Sequence, residues 1–162
     1  MRVRPAGAQD IDQISAVAGE AWWDTYAEFL DATTIEAFLR NAYSPRSLRR
    51  RVESHPVFVA VQDGSLVAFA DAMVRSDRVV LLALYTLPSF RDQGAGTALL
   101  QAVRVLAPTL PVCADVLLGN HKGEVFYEAK GFVPGEIIHG RLFGQPVIER
   151  RWWLAPRDEP AA

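Results

Sequence analysis

The segment Arg91-Asp92-Gln93-Gly94-Ala95-Gly96-Thr97 lies between an apolar run ending at Leu87-Pro88 and a helix-patterned stretch from Thr97 to Leu106. A strand, a glycine turn and a helix in that order build an anion site from main chain alone. The first N–H groups of a helix have no internal partner, and that end carries the positive pole of the helix dipole. Gly94 and Gly96 have no Cβ to block an approaching ligand. The implied chemistry is the binding of a phosphate-bearing molecule. No Gly-Lys-Ser/Thr follows, which argues against a nucleotide P-loop. Gly94-Ala95-Gly96-Thr97-Ala98-Leu99 also stops short of the dinucleotide pattern GxGxxG.

Proton-transfer chemistry has fewer candidates. The strand Val79 to Thr86 carries no Asp, Glu or His. The remaining candidates for a general base are Asp71, Asp115, Tyr85 and His121. Asp71 stands amid Phe69-Ala70 and Ala72-Met73, and burial there would raise its pKa toward that of a useful base. A hydrogen-bonded or outward-facing aspartate is an equally good reading, and so is a relay through water. Tyr127, between Phe126 and Phe132, reads on its own as a packed aromatic. Cys113 is the sole cysteine and sits in the apolar run Leu110 to Leu118, which makes it a core residue. No CxxC or His/Cys spacing suggests a metal.

The elements that must position these groups follow from periodicity and punctuation. Met1 to Arg4 is a short strand. Ala8 to Leu30 has helical spacing, Asp31 to Ala42 is a second helix, and Ser47 to Ser54 adds further turns. Strands follow at Val57 to Gln62, Leu66 to Val74 and Val79 to Thr86, with Asp63-Gly64 as a hairpin turn. The helix Thr97 to Leu106, the strand Val112 to Leu117 and a helix His121 to Lys130 come next. Phe132 to Ile138 and Pro146 to Trp153 form a last pair of strands around Gly140 to Gly144. The order mixes antiparallel hairpins with βα crossovers. It predicts an α/β chain with a mixed, mostly antiparallel sheet of six to seven strands and helices on both faces.

Length and composition bound the rest. The 162 residues predict one domain over 1–155, with a frayed tail from Pro156 to Ala162. Half the residues are hydrophobic, 22% are charged and the net charge is −2. That balance gives no global basic field for nucleic acid. No run approaches a membrane span, and the N-terminus lacks the apolar stretch of a signal peptide. A soluble, cytoplasmic setting is expected. Trp152-Trp153 at the end strand leaves a homodimer open.

Two segments together carry a family resemblance. Arg91-Asp92-Gln93-Gly94-Ala95-Gly96 after a strand matches the pattern Arg/Gln-x-x-Gly-x-Gly/Ala. Asn120-His121-Lys122-Gly123-Glu124-Val125-Phe126-Tyr127-Glu128-Ala129-Lys130-Gly131-Phe132 matches Asn-x-x-Ala-x-x-x-Tyr-x-x-x-Gly-Phe, except that Gly123 replaces Ala. In these motifs, and in element order from Val3 to Trp153, the chain resembles the GNAT superfamily of acyl-CoA N-acyltransferases. The resemblance implies acetyl-CoA as co-substrate, with no metal. It implies that Leu87, Arg91, Asp92, Gln93, Gly94, Ala95, Gly96, Thr97, Asn120 and Tyr127 contact the coenzyme. The pantetheine arm would pair with the edge of the Leu84 to Leu87 strand, opened because Val112 to Leu117 splays away. A strand N–H near Tyr85 or Leu87 would polarise the thioester carbonyl. Tyr127 would protonate the departing thiolate as general acid.

The implied reaction is transfer of an acetyl group to a primary amine of a small molecule by direct attack in a ternary complex. Trp22-Trp23-Asp24-Thr25-Tyr26 is similar to the Trp-x-x-x-Tyr segment of a branch that includes polyamine and amino-acid acetyltransferases. Trp22 and Tyr26, one helical turn apart, could wall the acceptor cleft. Glu20, Asp24, Glu28 and Asp31 share the opposite helix face and read as a solvated stripe. Arg46, Arg49, Arg50 and Arg51 read likewise as a solvated helix surface. The alternatives are a protein N-terminal or lysine acetyltransferase, which needs an open groove, and a non-catalytic acyl-CoA binding module.

Overall fold

The computed structural model describes residues 1–157, so residues 158–162 of the expected tail lie outside the described residues. The elements in chain order are β1 (Arg2–Pro5), α1 (Ile11–Tyr26), α2 (Ala32–Ala42), α3 (Pro45–Ser54), β2 (Val57–Gln62), β3 (Ser65–Val74) and β4 (Val79–Thr86). They continue with α4 (Ala95–Arg104), β5 (Val112–Leu117), α5 (His121–Ala129), β6 (Val133–Leu142) and β7 (Gln145–Leu154). Together the strands form one seven-stranded sheet in the order β1-β2-β3-β4-β5-β7-β6. Every neighbouring pair is antiparallel except β4 and β5, which run parallel because α4 carries the chain across between them.

Helices cover both faces, as the alternation of elements predicts. On one face Leu99, Leu100 and Val103 of α4 pack on Ala68, Ala70 and Ala72 of β3, with Phe132 and Trp152 beside them. On the other, Ile14, Val17 and Ala18 of α1 and Leu48 of α3 pack on Val59, Phe69 and Ala83. Trp22, Tyr26, Leu30, Ile35 and Leu117 make a third cluster at the end of this second face.

Local chemistry explains where the boundaries differ from the sequence reading. The chain before α1 is a separate 3-10 turn, Ala8–Asp10. Asp10 is held there by Arg4 at 2.7 and 2.9 Å and by the Gly7 N–H at 2.8 Å. Helix α3 starts at Pro45 rather than Ser47 because Ser44 Oγ accepts the Ser47 N–H and proline suits the first turn. Helix α4 starts at Ala95, two residues early, because Gly94 is its cap in the left-handed region at φ 92°. Strands β6 and β7 run through most of the expected Gly140 to Gly144 loop, leaving a turn at Phe143-Gly144 with φ 46° and 84°.

Two irregularities make the site. Strands β4 and β5 pair only from Val79↔Val112 to Leu81↔Ala114, after which β5 follows β7 as far as Leu117↔Glu149. The sheet therefore opens into a V beyond Leu81. In the β3–β4 ladder, Asp71 opposes Ala83 and Ala72 opposes Leu81. Leu82 is thus an extra residue in β4, a β-bulge, and it is 46% exposed.

Candidate active site

The bulge decides which backbone groups face the V. Before it, the Val79 N–H donates to Pro111 O at 2.9 Å, on the β5 side. After it, the Leu87 N–H donates to Val67 O at 2.8 Å, on the β3 side. Side alternates along a strand, so beyond the bulge Tyr85 shares the direction of Leu87. Leu84 and Thr86 turn their N–H and C=O groups to the edge that β5 has left. Both line a cleft of about 900 Å³. This corrects the expected donor: Leu87 has its N–H engaged with β3 and does not line the cleft, and the open strand donors are those of Leu84 and Thr86.

The glycine turn forms one end of the cleft. Asp92 and Gly94 both sit at positive φ, 62° and 92°. Gly94 offers no side-chain cap, and the first helical N–H with an internal partner is that of Ala98, which donates to Gly94 O at 3.0 Å. The N–H groups of Ala95, Gly96 and Thr97 are therefore free of intrahelical bonds and stand where the dipole is positive. Arg91, Asp92, Gly94, Ala95, Gly96 and Thr97 all line the cleft. Gln93 does not; its amide is turned to Gln62 at 3.1 Å and Ser89 O at 3.4 Å. A bare, uncapped helix start beside an arginine fits a pyrophosphate, and the open β4 edge fits the amides of a pantetheine arm. Gly96 has a second reason to lack a side chain: a Cβ there would meet Phe126 Cε1 at 2.9 Å.

Helix α5 supplies the opposite wall. Asn120 caps it by accepting the Gly123 N–H at 3.0 Å. A Cβ at position 123 would lie 2.7 Å from Asn120 Nδ2, so glycine rather than alanine lets this cap side chain sit as it does. Tyr127 lines the cleft and is packed edge-on by Phe126 and Phe132 at 5.3 and 4.9 Å. Burial pushes its hydroxyl pKa up, so at neutral pH it stays protonated and can donate.

Residues 53–134 match the family described as the acetyltransferase (GNAT) domain. The chain belongs to the GNAT acetyltransferase family. A spermidine N(1)-acetyltransferase of Thermoplasma acidophilum is 28% identical over 141 residues, covering 82% of this chain and 88% of that protein. The PaiA N-acetyltransferase of Thermoplasma acidophilum, solved in complex with coenzyme A, superposes with a TM-score of 0.79 at 23% identity, over 92% of this chain and 96% of that one. A GCN5-related N-acetyltransferase of Rhodopseudomonas palustris superposes with a TM-score of 0.81 at 20% identity, over 95% and 94%. The protein is thus an acetyl-CoA-dependent N-acetyltransferase.

A further wall of the cleft in this GNAT domain is aromatic. Tyr26 and Tyr85 line the cleft, and their hydroxyl oxygens are 3.4 Å apart. Burial, and after it the neighbouring Tyr26 and Tyr43 phenols, hold Tyr85 well above the usual phenol range, so its hydroxyl keeps its proton at neutral pH. Trp22 does not line the cleft. It lies behind Tyr26 and stacks on Phe38 of α2 with ring centroids 3.9 Å apart, a core role that corrects the expected wall.

The other expected bases separate clearly. Asp71 is 1% exposed and does not line the cleft. It is held by Arg51 Nε at 2.8 Å and His55 Nδ1 at 2.9 Å, and Arg51 also donates to Ala42 O. The carboxylate ties α3 to the sheet, which corrects its assignment as a catalytic base and shows that Arg51 is not merely solvated. Asp115 lines the cleft but is gripped by Arg151 at 2.7 and 3.0 Å. His121 lines the cleft with an 86% exposed side chain.

Two acids emerge that the sequence reading set aside or passed over. Asp24, read as solvated, joins Arg91 at 2.5 Å and Lys122 at 3.2 Å across the cleft mouth. Glu149 of β7 stands opposite Leu117 of β5. Its only sequence signal is alternation along β7, which the adjacent Arg150-Arg151 obscures.

Proposed function

We propose that this chain, as one domain over residues 1–155, acetylates a primary amine of a small molecule such as a polyamine or an amino acid. The observation that carries the choice of a small acceptor is made by Gln145. Its Oε1 accepts the Asp31 N–H at 2.9 Å and its Nε2 reaches Phe29 O at 3.5 Å. The start of β7 is thereby fastened to the loop between α1 and α2. Leu142 and Val147 pack under the same loop against the Trp22 cluster. A peptide needs an open groove on this side, whereas a small amine does not. The similarity to a spermidine N(1)-acetyltransferase supports the same choice.

In this reading the free N–H groups at the start of α4 hold the pyrophosphate. The edge groups of Leu84 and Thr86 pair with the pantetheine amides, and one of their N–H groups points at the thioester oxygen, where charge grows during attack. The neutral amine attacks the carbonyl carbon directly, a C–N bond forms and the C–S bond breaks. The nitrogen gives up its extra proton to water. Tyr127 protonates the departing thiolate and is reprotonated from solvent. A cytoplasmic setting accords with the acetyl-CoA requirement.

The test is thiol release from acetyl-CoA with a panel of polyamines, amino acids and peptides bearing a free N-terminus or lysine. Release that depends on a small amine supports the proposal. Release that depends on peptides alone overturns it.

A further inference from the structure

The carboxylates around the cleft differ in one respect: whether anything answers their charge. Asp24 has Arg91 and Lys122, Asp71 has Arg51 and His55, Asp115 has Arg151, and Glu124 has His121 at 3.6 Å, while Asp92 of the glycine turn lines the cleft without a partner among the described residues but is exposed to solvent. Among the described residues, Glu149 has neither a hydrogen bond nor an ion pair, yet it is half-buried. A half-buried charge without a partner is unfavourable unless something outside the chain supplies one.

Its position says what that is. Directly opposed residues of an antiparallel pair project to the same face, so Glu149 projects with Leu117, which packs against Trp22 and Tyr26. Asp115, two residues along β5 on that face, lines the cleft. Glu149 therefore stands on the Tyr26 side of the sheet, beside the cleft rather than in its lining, and near enough for its charge to act on the Tyr26 hydroxyl. Burial first, and then Asp115, raise its pKa, while Arg151 only partly offsets them, being itself gripped by Asp115. Strand β7 is two places from β4 in the sheet. At roughly 4.8 Å per paired strand two places span about 10 Å, and because β4 and β5 part beyond Leu81 while Glu149 lies opposite Leu117, Glu149 stands farther than that from the β4 edge. The distance suits a second charge on an elongated acceptor and is too long for contact with the reacting nitrogen.

We propose that Glu149 is the counter-ion for a second positive charge on the acceptor, carried about 10 Å or more from the nitrogen that is acetylated. The enzyme then selects di- or polycationic amines over monoamines of the same length. This inference rests on the small-amine reading and narrows it.

The full chain is assayed at saturating acetyl-CoA with 1,8-diaminooctane, octylamine and 8-aminooctanoate. Wild type is expected to show a KM for the diamine at least tenfold below that for octylamine. Glu149→Gln raises the diamine KM about tenfold and leaves the octylamine and acetyl-CoA values within twofold, which also shows that the variant is folded. Glu149→Lys shifts preference toward 8-aminooctanoate, an inversion that a structural role would not produce. Equal KM values for diamine and monoamine in wild type overturn this inference and leave the small-amine reading standing. So does an equal loss with both amines in Glu149→Gln. Wild type that acetylates peptides but no small amine overturns both.

Discussion

The Asp24 carboxylate of α1 lies 2.5 Å from Arg91 Nη1 in the glycine turn, so the helix that carries Tyr26 is tied to the turn that opens α4. The same oxygen reaches Lys122 at the start of α5 at 3.2 Å. The hydrogen bond from Arg91, ahead of that from Lys122, holds the Asp24 pKa below the usual carboxylate range. With the donor's phosphates at this turn, as proposed above, Asp24 would compete with them for both cations. Asp24→Asn is therefore expected to tighten coenzyme A binding by about two- to fivefold at low salt, since a partly exposed pair such as this is worth no more than ~1 kcal/mol. Titration calorimetry at two salt concentrations checks it; weaker binding by the variant would show that the pair organises the site instead.

Gly96 and Gly94 are expected to fail in different ways. Gly96→Ala drives a methyl into the Phe126 ring, at 2.9 Å from Cε1, and so pushes α5 off α4. The KM for acetyl-CoA should rise about tenfold, and Phe126→Leu in the same chain should restore much of it by making room. Gly94→Ala meets open space but holds φ at 92°, so its cost of roughly 1–2 kcal/mol is conformational and no partner change relieves it. Thermal melts and steady-state kinetics of the three variants separate the two causes.

Tyr127→Phe should lower kcat by roughly a hundredfold if the hydroxyl protonates the thiolate, with the acetyl-CoA dissociation constant unchanged. Burial raises the Tyr127 pKa above 10. An acid works while protonated, so its contribution is complete below its pKa and is lost only as pH rises through that raised value. No decline from this group is expected between pH 7 and 10. A variant with unchanged kcat, or a wild-type alkaline limb near pH 8 that Tyr127→Phe abolishes, contradicts the assignment.

Asp71→Ala leaves Arg51 and His55 facing a buried gap. A loss of about 3–5 kcal/mol in unfolding free energy is expected, as for other broken buried pairs. At a temperature where the variant remains folded, the acid limb of kcat/KM should match wild type, because Asp71 lies off the cleft. Denaturant titration and a pH–rate profile measure the two effects; disappearance of the acid limb would restore Asp71 as a base.

The parts of this molecule legible in its sequence are those that depend on near neighbours. Val79–Thr86 is an apolar run that stops short of Pro88, Val112–Leu117 is one that begins after Pro111 and stops short of Gly119, and the structure bounds both strands there. The glycine turn was visible because its chemistry lies within seven residues. Which glycine caps α4 was not, since the choice depends on φ at Gly94 and on Phe126, thirty residues beyond Gly96. The neighbours of Asp71 signalled burial, but its face of the sheet depends on pairing with Ala83 beside the bulge. The Leu82 bulge has no local signal in an unbroken apolar strand. For that reason the sequence alone points one residue away from the open backbone donors of Leu84 and Thr86. Trp22 was assigned to the cleft by its spacing from Tyr26, yet Phe38 on another helix claims its ring.

The extra residue at Leu82 divides β4 between two employers. Before it the strand serves the sheet; after it, the same strand serves a guest. That division is written in register, without any particular side chain. Removing one residue would realign the edge without deleting a single functional group, whereas many side chains along the strand can drift and leave the edge open. The fold that carries this edge superposes closely on two solved structures at 20–23% identity, so its sheet does not depend on most of the chain's particular side chains. The face across from it is built the other way, from particular side chains such as those of Tyr26 and Gln145.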